Sequence, residues 1–293
     1  MAVFSDITES LRYLFADIIG EEDGSIPYLP AGLPESVVPA ASDAIHLLIE
    51  YQGTAYAKLY VERLQRFVGR RGVDEAMLLE IARLMAMRMS YEDAIRIAQL
   101  KLLELEAYPD TPRADDVRKL RLDEMVETLP TVVAEPVLDL LDWLGWVHKR
   151  VKIHFSTANR FSIRRLKIEA SLRRWRRYSI RYSKERNWVE RWLHMIDRAL
   201  TRQPAAASAI VDTAAMVQGY GDTYRHGLAD WHAIIDSLAK PTFDGLLRLP
   251  DLAGAIAEVR AAALPDPRQA ALKRKIAEIR AQAAIAGTDA AAE

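Results

Sequence analysis

The sequence contains no cysteine among its 293 residues. This absence excludes disulfide bonds, a cysteine nucleophile, and any zinc site or iron–sulfur cluster held by cysteine within this chain. Glycine is scarce, with 13 residues where an average composition would give about 20. No apolar run approaches the ~18–20 residues of a membrane span, and the N-terminus has no basic segment followed by an apolar core. We therefore expect a soluble, cytoplasmic protein.

Several motifs of catalysis and cofactor binding are also missing. No GxxxxGK[ST] or GxGxxG loop is present to bind phosphates, and there is neither an HExxH of zinc peptidases nor a GxSxG of hydrolases. His148 and His154 are six residues apart, as are His226 and His232, so neither pair shares a helix face. The sequence predicts no catalytic residue, bound cofactor or metal in this chain.

The apolar residues that are present recur at helical spacing. Those from Ile45 to Phe67 predict one long helix, capped by Ser42 and ended by Gly69. Further helices are predicted to begin at Asp74, at the capping box of Ser90, at Thr111-Pro112 (ending near Thr128) and at Glu135-Pro136, and to cover 205–218, 223–239, 251–263 and 267–286. No convincing alternating strand is found. The predicted fold is all-α, a multi-helix globular domain of roughly ten to twelve helices.

The chain divides into three predicted regions. Residues 1–40 are expected to form an N-terminal helix and a linker rich in acidic residues, proline and glycine. Residues 41–264 form the main helical domain. Residues 265–293 provide a C-terminal packing helix, followed by a flexible tail after Ala286.

Charge is segregated along the chain, although the totals of 40 basic and 41 acidic residues nearly cancel. Fifteen lysines and arginines but only three acids lie between Lys149 and Arg191. Within this stretch the candidate partner-binding residues alternate guanidinium groups with a ring: Arg173, Arg174, Trp175, Arg176, Arg177 and Arg181.

Four interpretations of this basic stretch remain open. The arginines can pair with an acidic protein surface, or they can bind phosphates while rings stack on bases. They can also line the solvated side of a helix whose tryptophans face the core, or contact the acidic part of the same chain.

A glycine-containing turn is the second candidate site. Its residues are Gly219, Tyr220, Gly221, Asp222, Thr223 and Gly227. Gly219 and Gly221 are suited to end a helix with positive φ, and Asp222 or Thr223 to cap the next helix. Gly227 would allow another backbone to approach closely. Such a turn either presents N–H groups to an anion or simply joins two packed helices.

Several segments resemble, in the same order, a known helical domain. They are Tyr51–Leu64, Met89–Lys101 (Met-Ser-Tyr-Glu-Asp-Ala), Arg174–Tyr182 (Arg-Trp-Arg-Arg-Tyr-Ser-Ile-Arg-Tyr), Val189–Leu193 and Gly219–Ala229. Over roughly 40–240 the chain is similar to the C-terminal domain, of unknown function, of indolepyruvate ferredoxin oxidoreductases and other 2-oxoacid:acceptor oxidoreductases. Relatives fuse this domain to a preceding α/β domain, whereas some 40 other residues precede it here.

The resemblance implies a system that oxidatively decarboxylates aryl-pyruvates to aryl-acetyl-CoA. In that family thiamine diphosphate performs the carbon chemistry, iron–sulfur clusters carry electrons, and ferredoxin or another carrier accepts them. This sequence has neither the Gly-Asp-Gly…Asn motif for the diphosphate nor cysteines for a cluster. We therefore expect both cofactors in partner subunits.

These observations predict a non-catalytic accessory subunit that packs on separate catalytic subunits of a 2-oxoacid oxidoreductase. The basic stretch would contact those subunits or an acidic carrier such as ferredoxin, and the glycine turn is the second candidate contact. The alternative is a helical protein that binds nucleic acid through its basic face.

Overall fold

The computed structural model describes residues 26–108, 115–157, 160–263 and 268–292. The described chain is predominantly helical with one small two-stranded sheet, so the predicted all-α class is confirmed. The predicted N-terminal helix falls within residues 1–25, outside the described residues. None of the described helices is both long enough and apolar enough to cross a membrane.

The elements follow one another along the chain. The first part contains α1 (Val38–Tyr51), α2 (Thr54–Gln65), α3 (Glu75–Met89), α4 (Ala94–Ala107), β1 (Asp115–Arg121), α5 (Leu122–Val126), α6 (Thr131–Trp143) and β2 (Arg150–Ser156). The second part contains α7 (Arg160–Ser171), a 3₁₀ helix (Leu172–Tyr178), α8 (Ile180–Arg202), α9 (Ala207–Asp212), α10 (Gly221–Ile234), a π-helical turn (Ile235–Ala239), α11 (Lys240–Phe243), α12 (Leu252–Ala262) and α13 (Ala270–Ala292). Two further 3₁₀ turns, Pro204–Ala206 and Thr213–Met216, flank α9.

The chain forms two compact units whose segments are interleaved in sequence. The first unit consists mainly of His46–Leu59 and Ser90–Asn187. The second unit consists of Tyr28–Ile45, Tyr60–Met89 and Trp188–Glu293. The predicted division at residues 40 and 264 stays a prediction.

Three buried indoles form the centre of the second unit. The ring of Trp188 lies 6.2 Å from that of Trp192 and 5.0 Å from that of Trp231, measured between centroids. Two of the indole N–H groups donate hydrogen bonds, from Trp192 to the Ile210 carbonyl at 3.2 Å and from Trp231 to the Thr213 hydroxyl at 3.0 Å. Burial of these three large rings, two of them with their N–H groups bonded, contributes apolar stabilisation to this unit.

The first unit contains a two-stranded antiparallel sheet that packs with helices. Strands β1 and β2 pair antiparallel, with Asp115 opposite Ser156 and Arg121 opposite Arg150. One small apolar cluster of this unit contains Ile97 and Ala98 from α4, Phe155 from β2 and Leu166 from α7.

This two-stranded sheet corrects the expectation that no strand is present. Residues 115–121 are extended, so the helix predicted from Thr111-Pro112 to Thr128 is reduced to α5. The signal lies in β2, where Val151, Ile153 and Phe155 alternate with polar residues over a period of two. Because Phe155 is buried and Val151 is exposed, only part of this alternation faces a core.

Several helix boundaries also differ from the prediction. The long helix from Ile45 to Phe67 is two helices, separated at Gly53 with φ of 124°. The first begins at Val38, so Ser42 lies inside it and does not cap it. Helix α6 begins at Thr131 and contains Pro136. Helix α13 continues to Ala292 and does not end near Ala286.

Two capping predictions had opposite outcomes. The Asp74 carboxylate accepts a hydrogen bond from the Met77 N–H at 2.8 Å, which confirms the predicted start of α3. The predicted capping box at Ser90 is wrong, because Asp93 caps α4 by accepting from the Arg96 N–H at 2.7 Å.

An ion-pair cluster joins α2 to α8 within the second unit. Arg63 Nε lies 2.9 Å from Glu190 Oε1, and Arg66 lies 3.1 Å from the same carboxylate. Burial raises the pKa of Glu190, but the two arginines outweigh it and hold that pKa below its ordinary value of 4.5. The charged carboxylate therefore stabilises the fold above this value, and the contribution is lost as the pH falls through the lowered pKa.

We expect Glu190→Gln to reduce the free energy of unfolding by about 1 kcal/mol at pH 7. The difference from the natural protein should shrink as the pH falls from 4.5 through the lowered pKa, because only below that pKa is Glu190 protonated in both the folded and the unfolded chain. Urea unfolding at several pH values measures this, with Glu62→Gln, an exposed acid on α2, as the control. A difference that stayed constant with pH would contradict the assignment.

Candidate functional site

The basic stretch between Lys149 and Arg191, called the basic segment from here on, contains a strand and several helices. Residues Leu172–Tyr178 form a 3₁₀ helix between α7 and α8, and Arg181 lies in the first turn of α8. Arg174 is exposed, Trp175 is half-buried, and Arg176 is only 1% exposed. The candidate residues are therefore distributed between the surface and the interior of the first unit.

Arg176 is fixed by a buried ion pair with Asp93. Its Nε and Nη2 atoms donate to the two carboxylate oxygens of Asp93 at 2.8 and 2.9 Å. Its Nη1 donates to the carbonyl of Tyr51 at 2.8 Å, and its guanidinium lies 3.8 Å from the centroid of that ring. Burial lowers the pKa of Arg176, but Asp93 more than compensates and the net shift is upward.

The environment of this pair is aromatic. The Tyr51 hydroxyl donates to the carbonyl of Tyr91 at 3.0 Å, and the two ring centroids are 5.7 Å apart. Burial raises the pKa of both tyrosines well above the ordinary value, so both hydroxyls stay protonated. Asp93 is therefore the negative charge that balances Arg176.

Other members of the basic segment also contact their own chain. Arg173 donates to the carbonyl of Glu50 at 2.8 Å, and Arg181 lies 2.8 Å from the buried carboxylate of Glu185. Arg176 contacts the acidic part of the same chain through Asp93, as one of the four interpretations expects, whereas Arg181 pairs with an acid of the basic stretch itself. Partner binding by Arg173, Arg174, Trp175 and Arg177 stays a prediction.

The glycine turn has the backbone that the sequence predicts. Gly219 and Gly221 have φ values of 70° and 64°, which confirms the predicted positive φ, although Gly221 begins α10 and does not end the preceding helix. A Cβ atom on Gly227 would lie 2.1 Å from the carbonyl oxygen of Met216, which confirms the close approach. The predicted caps are wrong because α10 already begins at Gly221, and Asp222 forms an ion pair with Arg225. Anion binding by this turn stays a prediction.

An exposed apolar surface lies where α6 ends and the chain turns into β2. We define it as Leu140, Trp143, Leu144, Trp146 and Val151. Trp143 is 81% exposed and Trp146 is 46% exposed. Leu140, Trp143 and Leu144 share one helix face, because they are three and four residues apart. Only a helix beginning at Glu135-Pro136 was predicted here, and the sequence signal for an exposed apolar face is the pair of tryptophans three residues apart.

A pocket of about 370 Å³ lies elsewhere in the first unit. We call it the arginine pocket, and its lining residues are Pro130, Thr131, Val132, Arg177, Tyr178, Ser179, Tyr182, Ser183 and Arg186. The sequence analysis did not identify it, because its walls come from two segments about 45 residues apart. Arg177 is the one lining residue that had been singled out.

No metal site is formed by the part of the chain that the structure describes. No group of three or more histidine, aspartate or glutamate side chains is placed to hold an ion there. The absence of cofactors and metals from the whole chain stays a prediction.

Comparison with known proteins gives one family match. Residues 37–237 match a family described as a family of unknown function, DUF6537. The matched range includes the basic segment, the arginine pocket, the apolar surface and the glycine turn. No curated protein and no solved structure matches the chain.

We expect Arg176→Met to reduce the free energy of unfolding by about 3–5 kcal/mol, since Asp93 would remain buried without its counter-charge. Arg174→Met, at an exposed neighbour, should change it by less than about 0.5 kcal/mol. Urea unfolding of both variants tests the pair. Replacing both members, in Arg176→Met with Asp93→Leu, should recover part of the loss. Equal effects of the two single variants would show that Arg176 is not held as described.

We also expect Gly227→Ala to destabilise the second unit by about 2 kcal/mol or more, because the added methyl group collides with the Met216 carbonyl. His226→Ala is the control, at the preceding position of α10. Thermal unfolding followed by circular dichroism gives both values. A Gly227→Ala variant as stable as the natural protein would rule out the close approach.

Proposed function

The chain belongs to the DUF6537 family of unknown function, and on that premise we propose that it is a non-catalytic accessory subunit of a 2-oxoacid oxidoreductase. The enzyme would be of the indolepyruvate ferredoxin oxidoreductase type, with separate catalytic subunits on which this chain packs. The proposal includes a cytoplasmic location. The assignment to this type of enzyme rests on the resemblance of the ordered motifs between residues 40 and 240.

The observation that carries the proposal is the apolar surface of the first unit. Monomeric soluble proteins rarely expose contiguous apolar patches larger than roughly a few hundred Å², and larger patches usually mark an interaction site. Tryptophan is among the residues that most often dominate the binding energy of protein interfaces. Two exposed indoles within four residues therefore support a binding role for this surface.

The surroundings of the apolar surface have the composition of an interface rim. Lys149 places its ammonium 4.6 Å from the centroid of the Trp146 ring, and Arg150 and Lys152 are exposed in the following strand. Asp139 and Asp142 are exposed on α6. Protein interfaces commonly combine an apolar centre with such a polar rim.

The two units differ in how they use their large apolar residues. Most of the exposed ones in the described chain belong to the first unit, including Phe161 and Ile168 on α7. The second unit buries its three central tryptophans. This contrast favours the first unit as the part that contacts the catalytic subunits.

The chemistry would reside in the partners. A chain without cysteine cannot ligate an iron–sulfur cluster through thiolates, so the clusters are assigned to the catalytic subunits. Thiamine diphosphate is assigned to them as well, because this sequence lacks the Gly-Asp-Gly…Asn motif. Arg174, exposed beside the half-buried Trp175, is available to an acidic electron carrier such as ferredoxin. The internal pairing of Arg176 and Arg181 leaves fewer cations for phosphates, which disfavours the nucleic-acid alternative.

Native affinity purification of the tagged full chain tests the proposal. We expect recovery of large subunits that carry thiamine diphosphate and iron, identified by mass spectrometry and by assays for both cofactors. Trp143→Glu combined with Trp146→Glu should weaken this association by about 30-fold or more, because each indole is expected to act as an anchor. Leu246→Glu, at an exposed leucine of the second unit, should not.

Either of two results would contradict the proposal. One is a chain recovered without thiamine diphosphate and iron across salt and lysis conditions. The other is equal capture by the natural chain and the double tryptophan variant. Oligonucleotide affinity that falls steeply with salt would support the nucleic-acid alternative instead.

A further inference from the structure

The arginine pocket has walls fixed by hydrogen bonds within the first unit. Pro130 and Ser179 form an isolated antiparallel bridge, and the Thr131 hydroxyl donates to the Tyr178 carbonyl at 2.9 Å. On the α8 side the Tyr182 N–H donates to the Ser179 hydroxyl at 3.1 Å. These bonds join the start of α6 to the start of α8, so the concavity is already formed without a ligand.

The charge of the pocket is of one sign. Its lining includes Arg177 and Arg186 and no aspartate or glutamate. The Arg177 guanidinium lies 4.8 Å from the centroid of the Tyr178 ring, which limits its movement. Arg186 is exposed, and within the described residues no carboxylate lies at ion-pair distance from it. Two guanidinium groups in one concave site raise the local concentration of anions.

The remaining lining indicates which kind of anion fits. Guanidinium groups match phosphate and carboxylate oxygens through paired hydrogen bonds. The tyrosines at 178 and 182 add aromatic surface, and Ser183 adds a hydroxyl. The volume of about 370 Å³ lies at the lower end of the range for small-molecule sites, of about 300–1,000 Å³.

We propose that the arginine pocket binds a small organic molecule that carries a phosphate or carboxylate group and an aromatic ring. Arg177 and Arg186 bind the oxyanion, and the ring packs against tyrosine. No covalent step is involved. The proposal does not rest on the accessory-subunit function, because none of the lining residues belongs to the apolar surface.

Isothermal titration calorimetry with the full chain tests this site. The probes are phenyl phosphate, phenylacetate, inorganic phosphate and the neutral analogue phenol. We expect saturable binding of at least one of the two aromatic anions, weaker binding of inorganic phosphate and none of phenol. Binding of phenyl phosphate but not phenylacetate would assign the oxyanion as phosphate, and the reverse would assign it as carboxylate.

Variants then locate the binding. Arg186→Gln and Arg177→Gln should each weaken the aromatic anion by about ten- to hundredfold, as loss of a charged hydrogen bond does. Arg174→Gln, a nearby exposed arginine outside the lining, should leave affinity unchanged. Arg186 is exposed, so its variant is expected to fold normally, and its melting temperature checks this.

Three outcomes would overturn the proposal. They are absence of saturable binding by either aromatic anion, affinities unchanged by both pocket variants, and binding of an acidic peptide with no binding of the small anions. The last result would make the pocket a contact for a protein. The double tryptophan variant should bind the probes normally, so failure here is distinguishable from failure of the accessory-subunit proposal.

Discussion

The buried ion pair between Arg176 and Asp93 is the constraint on which the first unit depends. A guanidinium that is 1% exposed is tolerated only if its charge and its donors are satisfied, and here a carboxylate, a carbonyl and a ring do this. Asp93 also caps α4, so one side chain fixes both the start of that helix and the position of the 3₁₀ helix. Because the Ser179 hydroxyl donates to the Arg176 carbonyl at 2.7 Å, the same constraint extends to the edge of the arginine pocket.

This arrangement explains why neighbouring arginines have different environments. In a tight 3₁₀ helix of three residues per turn, successive side chains point in directions about 120° apart. Arg176 is held inside, and Arg174 and Arg177, which are three residues apart and therefore share one side of this helix, both point about 120° away from it. On that side Arg174 is exposed and Arg177 lines the arginine pocket. A run of like charges in the sequence thus becomes one structural cation, one surface cation and one pocket cation. From the net charge of the segment alone, these three arginines would all be assigned to a single binding face.

The sequence predicted features that depend on residues close together in the chain. Helical periodicity predicted the all-α class, and backbone geometry confirms the positive φ predicted for Gly219 and Gly221 and the close approach predicted for Gly227. The sequence did not predict features that depend on contacts between residues far apart in the chain. Arg176 is buried only because Asp93, 83 residues away, meets it, and β1 is extended only because β2 pairs with it. The arginine pocket likewise requires two distant segments to meet, and the exposure of Trp143 depends on which face of α6 packs. Neither follows from spacing within one helix.

The first unit buries the Arg176–Asp93 ion pair and leaves two tryptophans on its surface. The apolar cluster around α4 is small, with Phe155 and Leu166 as its largest members, and Trp143 and Trp146 remain exposed outside it. Burying an exposed indole is worth roughly 2–3 kcal/mol or more, so leaving two outside is unfavourable for an isolated chain. The ion pair supplies geometric specificity at the centre of the unit, whereas apolar stabilisation remains to be gained at the surface. A partner that covers the tryptophans would gain that free energy as affinity, and this is why the apolar surface, more than the basic segment, supports an interaction role.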